Sequence, residues 1–159
     1  IYNKEFKLPI VIVRPYNSYG PRDHFDKEKG HVIPALIQRI YNKENPLVVW
    51  GSGEQSRSFL YVKDFARGLI EITEKYSKPE PVNLGAEEEI KIKDLANLIV
   101  RLTKKDIKIK FDRTKPDGQP RRNCDTTKLK KEVGFEAKFT LKEGLLRTIN
   151  WYKKEFNVQ

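Results

Sequence analysis

The sequence contains no methionine, a single cysteine and only two histidines among its 159 residues. One cysteine cannot form a disulfide within the chain, and with two histidines it cannot build a His/Cys zinc site, so we expect no metal. No apolar run approaches the length of a transmembrane helix, and no signal peptide opens the chain. These absences favour a cytoplasmic, folded domain with no membrane partner.

Several catalytic motifs are also missing. The chain has no GxGxxG or GxxGxxG turn for a dinucleotide, no HExxH, no GxSxG and no P-loop. None of its seven tyrosines is followed four positions later by lysine. Because methionine is absent even from position 1, we expect a fragment or a processed product.

What the chain does have is positive charge. It carries 32 Lys and Arg against 22 Asp and Glu, a net charge of +10, which favours an anionic partner. Most of these cations alternate with carboxylates and predict a solvated surface. A denser group lies in one long loop, which spans residues 112–123 and contains Arg113, Lys115, Arg121 and Arg122. A small basic nucleic-acid-binding module is therefore one open reading.

The hydropathy pattern predicts a mixed α/β chain in the order β-α-β-β-α-β-α-β-α-α. The β-branched residues 8–15 predict a strand buried in a parallel sheet that is covered on both faces. The other predicted strands cover residues 47–50, 58–61, 81–85 and 107–111. The predicted helices start near Val32 (ending at Asn45-Pro46), Val62, Ile92, Thr126 and Leu141.

Three constellations are candidates for chemistry. The first is Trp50-Gly51-Ser52-Gly53, followed by Arg57. The two glycines allow a ligand to approach the backbone closely, the indole ring can stack on a base, and the guanidinium can bind a phosphate through two donors. The loop at residues 115–122 offers three cations and the carboxylate of Asp117. His31 lies just before a predicted helix and is a candidate acid or base. A solvated surface loop would explain residues 115–122 equally well, and a histidine before a helix is more often structural than catalytic.

These pieces resemble the C-terminal part of the extended short-chain dehydrogenase/reductase family, the NAD(P)-dependent nucleotide-sugar epimerases, dehydratases and reductases. The resemblance runs in the family's order through residues 14–22 (RPYNSYGPR), 50–64 (WGSGEQSRSFLYVKD), 82–85 (VNLG), 144–145 and 151–152. Residues 31–37 (HVIPALI) and 114–122 (TKPDGQPRR) are closest to the pattern of the GDP-L-fucose synthases. Tyr61 departs from that pattern, where histidine is common.

The resemblance implies a role for each matching position. Pro15, Asn17 and Ser18 would line the nicotinamide end of an NAD or NADP site, and His31 would be the catalytic residue. The implied substrate-binding residues are Asn17, Arg39, Trp50, Arg57, Asp117 and Arg122.

The resemblance also implies what the chain lacks. The family's glycine-rich motif and Tyr-x-x-x-Lys pair lie upstream of the stretch that matches Leu8. We therefore expect residues 1–25 to be a terminal Rossmann strand and loop, and residues 26–159 to be a mixed α/β lobe that binds a nucleotide diphosphate sugar. Such a chain is catalytically incomplete without its N-terminal Rossmann part, and the whole enzyme would form a homodimer. A non-catalytic structural subunit is the remaining alternative.

Overall fold

The computed structural model of the chain describes residues 2–26 and 30–159; Ile1 and residues 27–29 lie outside it. Its helices are α1 (Tyr2–Phe6), α2 (Val32–Tyr41), α3 (Val62–Lys75), α4 (Ile92–Thr103), α5 (Thr127–Val133) and α6 (Leu141–Glu155). Its strands are β1 (Ile12–Pro15), β2 (Ser18–Tyr19), β3 (Leu47–Trp50), β4 (Ser56–Ser58), β5 (Leu60–Tyr61), β6 (Pro81–Leu84), β7 (Glu89–Lys91), β8 (Ile109–Asp112) and β9 (Arg121–Arg122).

Short parallel pairs dominate the strand topology. β1 pairs with β6, β2 with β5, and β3 with β8, all in parallel. In the fourth group β4 is central, antiparallel to β7 and parallel to β9. Parallel neighbours require long crossover connections, and helices supply them, so the mixed α/β class expected from the sequence is observed.

Two apolar clusters form the core. The larger one joins α2, α4 and α6 around β3 through residues such as Ile37, Ile99 and Leu145, all fully buried. The smaller one joins α3, α5 and β6 through Ile72 and Leu84. No helix in the described ranges is both long and apolar enough to cross a membrane.

Local sequence signals explain the helix ends. Thr140 begins α6 with a capping box, in which its side chain accepts from the backbone of Glu143 and the Glu143 carboxylate accepts from Thr140. Pro34 lies in the first turn of α2, where its missing N–H leaves no hydrogen bond unmade. Gly134 ends α5 in the left-handed region at φ +71°.

The prediction of a strand buried on both faces at residues 8–15 is wrong in two respects. Regular pairing begins only at Ile12, and the Ile12 side chain is 45% exposed. Val13 packs against the smaller core cluster, so only one face of β1 is covered. The reason is that, within the described residues, nothing covers the face that carries Ile12 and Arg14; β1 is also an edge strand there, with β6 as its one hydrogen-bonded neighbour.

Other boundaries differ from the sequence prediction as well. The predicted strand at residues 58–61 is two strands in different sheets, β4 and β5, that part at Phe59. Helix α2 ends at Tyr41, before Asn45-Pro46, and the predicted loop at residues 112–123 includes β9. The pattern did not predict α1, β2 or β7, because each has five residues or fewer and depends on tertiary contacts.

One buried carboxylate ties distant segments together. The Asp64 side chain, 1% exposed, accepts hydrogen bonds at Oδ2 from the backbone N–H groups of Lys138 (2.8 Å) and Phe139 (2.9 Å). Its Oδ1 accepts from Arg67 at 2.9 Å, and the Arg67 guanidinium lies over the ring of Phe135. Asp64 thus links α3 to the segment that leads into α6.

Replacing Asp64 should therefore strongly destabilise the fold. We expect Asp64→Asn to lower the free energy of unfolding by about 3 kcal/mol or more, because asparagine keeps only one acceptor oxygen. Either the two backbone N–H groups or the Arg67 guanidinium then faces an amide NH2 group, and Arg67 loses its buried counter-charge. Urea denaturation followed by circular dichroism measures this loss. Glu71→Gln removes the outer partner of the same Arg67 and should change stability far less; equal effects of the two substitutions would contradict this account.

Candidate functional site

One candidate site is a cleft of about 740 Å³ between α2, β3 and β4, which we call the α2–β4 cleft. Three of the predicted substrate-binding residues line it: Arg39, Trp50 and Arg57. The other lining residues are Gly30, Val32, Ala35, Leu36, Val49, Gln55, Ile92 and Pro116. The cleft thus has an apolar floor and a cationic rim.

Trp50 stands at the end of β3 with 63% of its surface exposed. The Lys115 ammonium lies 5.7 Å from the centre of its ring, a cation–π contact that draws the long loop towards the indole. An exposed aromatic face on a fixed strand end offers a surface on which a planar ring can stack.

Arg57 is partly anchored and partly free. Its Nη1 donates to the carbonyl oxygens of Ser56 (2.7 Å) and Gln119 (2.8 Å), which fixes the direction of the side chain. Its Nε and Nη2 donate to no acceptor in the described part of the chain. Arg57 therefore presents a held guanidinium with unused donors to the cleft, which is the arrangement that suits an oxyanion.

Arg39 lies in the same cleft, but two of its three guanidinium nitrogens are engaged. Nε donates to the Glu44 carboxylate at 2.8 Å, and Nη2 contacts the same carboxylate and the Val48 carbonyl oxygen. These contacts tie the end of α2 to β3. Arg39 thus supports the cleft wall through Nε and Nη2, and its binding of a diphosphate stays a prediction.

Asp117 holds the long loop over the glycine turn. Its Oδ1 accepts from the backbone N–H of Ser52 at 2.5 Å and from the Ser52 hydroxyl at 2.9 Å. Gly51 makes this approach possible, because a Cβ at that position would lie 2.2 Å from Asp117 Oδ1. A substrate contact by Asp117 remains a prediction.

Beside this turn, Glu54 anchors the segment to α4. Its carboxylate accepts from the ammonium groups of Lys93 (2.5 Å) and Lys91 (2.9 Å). These hydrogen bonds lower the pKa of Glu54 to about 2, so the anchor is charged throughout the physiological range.

A second cleft of about 600 Å³ lies at the carboxyl end of β1, and we call it the β1 cleft. Pro15 and Arg122 line it, together with Arg14, Tyr16, Arg121 and Asn123. The carboxyl ends of parallel strands are where open α/β sheets bind their ligands. The Arg122 side chain makes no hydrogen bond or ion pair within the described ranges, whereas the Arg121 side chain pairs with Glu89 through Nε and Nη2.

The remaining predicted residues lie between and beside the clefts. Asn17 donates from Nδ2 to the Ser58 carbonyl oxygen at 3.0 Å, next to Arg57. Ser18 belongs to β2, opposite Leu60. His31 is the residue before α2, its side chain is 80% exposed, and its two chain neighbours line the α2–β4 cleft.

Sequence reasoning missed Gln55, which lines the α2–β4 cleft with an Oε1 that is buried and unpartnered among the described residues. It missed Asp23 as well, whose carboxylate lies 3.5 Å from the His31 ring. Only the position of Gln55 inside the 50–64 stretch hinted at its place. Nothing local marks Asp23, because eight residues separate it from its partner.

Comparison with known proteins bears on this geometry. The sequence model of the NAD dependent epimerase/dehydratase family matches residues 1–85, more than half of the chain. The chain belongs to that family. The resemblance noted in residues 14–22 and 50–64 is therefore confirmed, since both stretches lie inside the matched region.

Individual relatives agree with this membership. A probable GDP-L-fucose synthase from Oryza sativa subsp. japonica is 39% identical over 95% of the chain and 47% of its own length. A GDP-L-fucose synthetase from Naegleria fowleri, solved with NADP, superposes with a TM-score of 0.86 at 30% identity, over 92% of this chain and 47% of the other. A UDP-glucose 4-epimerase from Thermotoga maritima, solved with UDP-glucose, superposes with a TM-score of 0.86 at 27% identity over 98% and 49%.

The chain spans about half the length of these family members. The Rossmann-type fold class expected from the sequence is confirmed by both superpositions.

Gly51 provides a test of the loop contact. Gly51→Ala should push Asp117 away from Ser52, and we expect hydrogen exchange at residues 113–120 to quicken about fivefold or more, because hydrogen bonds to a carboxylate are lost. The matched control is Gly134→Ala: its φ of +71° resembles the +80° of Gly51, but nothing lies within 4 Å of its Cβ position. Equal exchange in the two variants would assign the effect to backbone strain alone.

Cys124 allows a second test. Its side chain is 5% exposed, and burial, followed by the charge of Asp125, raises its pKa from 9.0 to about 11. We expect the thiol to react slowly with a disulfide reagent at pH 7.5 in the folded protein and rapidly in urea. Because the pKa of Cys124 is higher in the folded than in the unfolded protein, its contribution to folding stability is complete below pH 9 and is lost as the pH rises through about 11. Fast reaction of the thiol with the disulfide reagent in the absence of urea would contradict the burial of Cys124.

Proposed function

We propose that this chain binds a nucleotide diphosphate sugar as the substrate-binding part of an NAD(P)-dependent nucleotide-sugar epimerase, dehydratase or reductase of the GDP-L-fucose synthase type. The observation that carries the proposal is the α2–β4 cleft, where the exposed face of Trp50 and the unused donors of Arg57 line one cavity. A nucleotide presents a planar base and an anionic diphosphate, and the cleft offers a matching partner for each.

The individual roles follow from this assignment. Trp50 stacks on the base, and Arg57 binds the diphosphate with Nε and Nη2. Asp117 holds the loop that covers the turn, Arg39 supports the cleft wall, and Arg122 contacts the substrate from the β1 cleft.

Asn17 follows Tyr16 of the β1 cleft and donates to the Ser58 carbonyl oxygen, next to Arg57 of the α2–β4 cleft. We assign it a substrate contact near the reacting sugar, where His31 acts as acid or base. In this division residues 1–25 complete the Rossmann part, and residues 26–159 form the nucleotide-sugar lobe; residues 27–29, just past that boundary, lie outside the described ranges.

An NAD or NADP cofactor fits this chain only in part. The β1 cleft, with Pro15 at its wall and the cations of Arg14 and Arg122 beside it, suits one end of an anionic dinucleotide. The sequence holds no glycine-rich dinucleotide turn. When bound, the nicotinamide supplies hydride transfer; Pro15, Asn17 and Ser18 bound the place where its ring would lie next to the sugar.

The proposal therefore includes a partner. An N-terminal Rossmann part supplies the glycine-rich motif and the Tyr-x-x-x-Lys pair, and these 159 residues are catalytically incomplete without it. The relatives' greater length, about twice that of this chain, supports this partner. A cytoplasmic location and a homodimer of the whole enzyme remain predictions from the sequence.

No observation favours the nucleic-acid alternative. Many cations are paired with carboxylates, among them Arg67, Lys75, Lys91, Lys93 and Arg121. A lysine or arginine that is paired with a carboxylate has its charge offset. Such pairs do not form the open basic stripe that binding of a nucleic acid requires.

Arg57 provides the decisive test. In the protein made from its native gene, Arg57→Ala should weaken the binding of a GDP-sugar by about 1.5–3 kcal/mol, or roughly 10- to 150-fold in Kd, because a charged hydrogen-bond partner of the diphosphate is lost. Isothermal titration calorimetry measures the change, and UDP- and dTDP-sugars titrated in parallel identify the base.

Two further variants make that result interpretable. Arg57→Lys keeps the charge but loses the fork, so it should lie between the wild type and Arg57→Ala. Arg101→Ala, on the exposed face of α4, makes the same substitution away from both clefts and should leave Kd unchanged. Unchanged affinity in Arg57→Ala would count against the binding role, and no affinity in the wild type would favour a structural subunit.

A further inference from the structure

The residue that faces His31 is Asp23. Asp23 Oδ1 lies 3.5 Å from His31 Nδ1, at the outer limit of a hydrogen bond, and the same oxygen accepts from the backbone N–H of His24 at 2.7 Å. The Asp23 side chain is only 14% exposed, whereas the His31 side chain is 80% exposed. A buried carboxylate thus lies against one nitrogen of an accessible imidazole.

The second oxygen of the Asp23 carboxylate, Oδ2, is a further reason for a hydrogen-bond donor to lie nearby. Asp23 Oδ2 is buried and has no hydrogen-bond partner within residues 2–26 and 30–159. A buried carboxylate with an unsatisfied oxygen is unfavourable, and a nearby N–H reduces that cost. The His31 ring nitrogen Nδ1, 3.5 Å from Oδ1, is the side-chain nitrogen that the described contacts place beside this carboxylate.

Two glycines bring these residues together. The backbone N–H of Asp23 donates to the Gly20 carbonyl oxygen at 3.3 Å, and a Cβ on Gly20 would lie 2.4 Å from a Val62 methyl carbon. The backbone N–H of Gly30 donates to the Asp26 carbonyl oxygen at 2.9 Å, and a Cβ there would lie 2.3 Å from that oxygen. Because position 30 has no side chain, its backbone can pack against the Asp26 carbonyl group. This close approach places His31 beside Asp23.

The segment that carries Asp23 is held from two sides. The ring of Phe25 lies 4.8 Å from that of Tyr152 and 5.5 Å from that of Trp151, both on α6. The Phe25 carbonyl oxygen accepts from Gln38 Nε2 of α2 at 3.0 Å. These contacts fix Asp23 relative to α2, the helix that His31 precedes, so the pair is built into the fold.

We propose that Asp23 is a positioning residue for His31: it accepts the Nδ1–H bond, holds the neutral imidazole in the Nδ1–H tautomer, and leaves Nε2 as the atom that exchanges a proton with substrate. The catalytic meaning of this pair rests on the proposed function, but the pair itself does not. Nε2 lies on the opposite side of the ring from Nδ1 and so faces away from the carboxylate. A carboxylate that fixes tautomer and ring orientation is a general means of preparing a histidine for acid–base work.

Nitrogen NMR tests the pair without any turnover. In ¹⁵N-histidine-labelled protein made from the native gene, at a pH where the imidazole is neutral, we expect His31 to show a protonated Nδ1 and an unprotonated Nε2. Asp23→Asn should shift the ring towards the Nε2–H tautomer. His31→Gln assigns the signals, and Asp106→Asn, an exposed carboxylate between α4 and β8, is the matched control and should leave them unchanged.

Kinetics of the same protein with NADPH and a 4-keto nucleotide sugar tests the catalytic meaning. We expect Asp23→Asn to lower kcat by about 10²-fold with KM little changed, because the histidine is mispositioned while the substrate still binds. His31→Gln should lower kcat at least as much, and the double variant should be no worse than His31→Gln.

The outcomes separate the two claims. An unchanged His31 tautomer in Asp23→Asn overturns the pair, whatever happens to kcat. A shifted tautomer with unchanged kcat in Asp23→Asn, while His31→Gln is impaired, overturns the positioning role alone. Full activity in His31→Gln refutes the catalytic role of His31 and with it the catalytic meaning of Asp23, whereas nucleotide-sugar affinity judges the binding function separately.

Discussion

The buried carboxylate of Asp64 is the contact on which the arrangement of this chain most depends. Its oxygens accept from Arg67 and from the backbone of Lys138 and Phe139, so one side chain joins α3 to the segment that leads into α6. Phe135 belongs to the smaller core cluster and Phe139 packs against the larger one. The carboxylate therefore fixes the position of one cluster relative to the other. A buried carboxylate stabilises such an arrangement only when hydrogen-bond donors or a cation satisfy its oxygens.

The candidate site depends on that arrangement, because its parts come from segments far apart in the chain. Trp50 ends β3 and Arg57 lies in β4. The loop at residues 112–123 contacts Trp50 through Lys115 and Arg57 through Gln119, and Asp117 binds Ser52 in the turn between them. A glycine turn between the two strands lets the loop approach closely. The same loop continues into β9, whose Arg122 faces the β1 cleft, so one segment forms part of both clefts.

Much of the fold could be read from hydropathy, because long amphipathic helices and β-branched runs carry their own signal. The helices α3, α4 and α6 were predicted close to their observed bounds. The two-residue strands β2 and β9 were not, since a pair of residues has no periodicity and is a strand only because a partner lies beside it. The exposure of β1 was not predicted for a related reason. A run of β-branched residues indicates a strand that is usually buried, but it does not show which other element packs on each face.

The sequence alone determined the family and the residue types of the site, because the glycines, prolines and arginines that mark it occur in short continuous stretches, residues 14–22 and 50–64. Tertiary structure decided what each side chain is free to do. Arg39 and Arg57 look alike in sequence, yet Arg39 is engaged by Glu44 and Val48 while Arg57 keeps unused donors. Asp23 has no motif of its own and gains its place from a backbone that returns at Gly30. Hydrogen-bond partners distant along the chain have no local signature, so only the folded chain can show which donors and acceptors remain for a ligand.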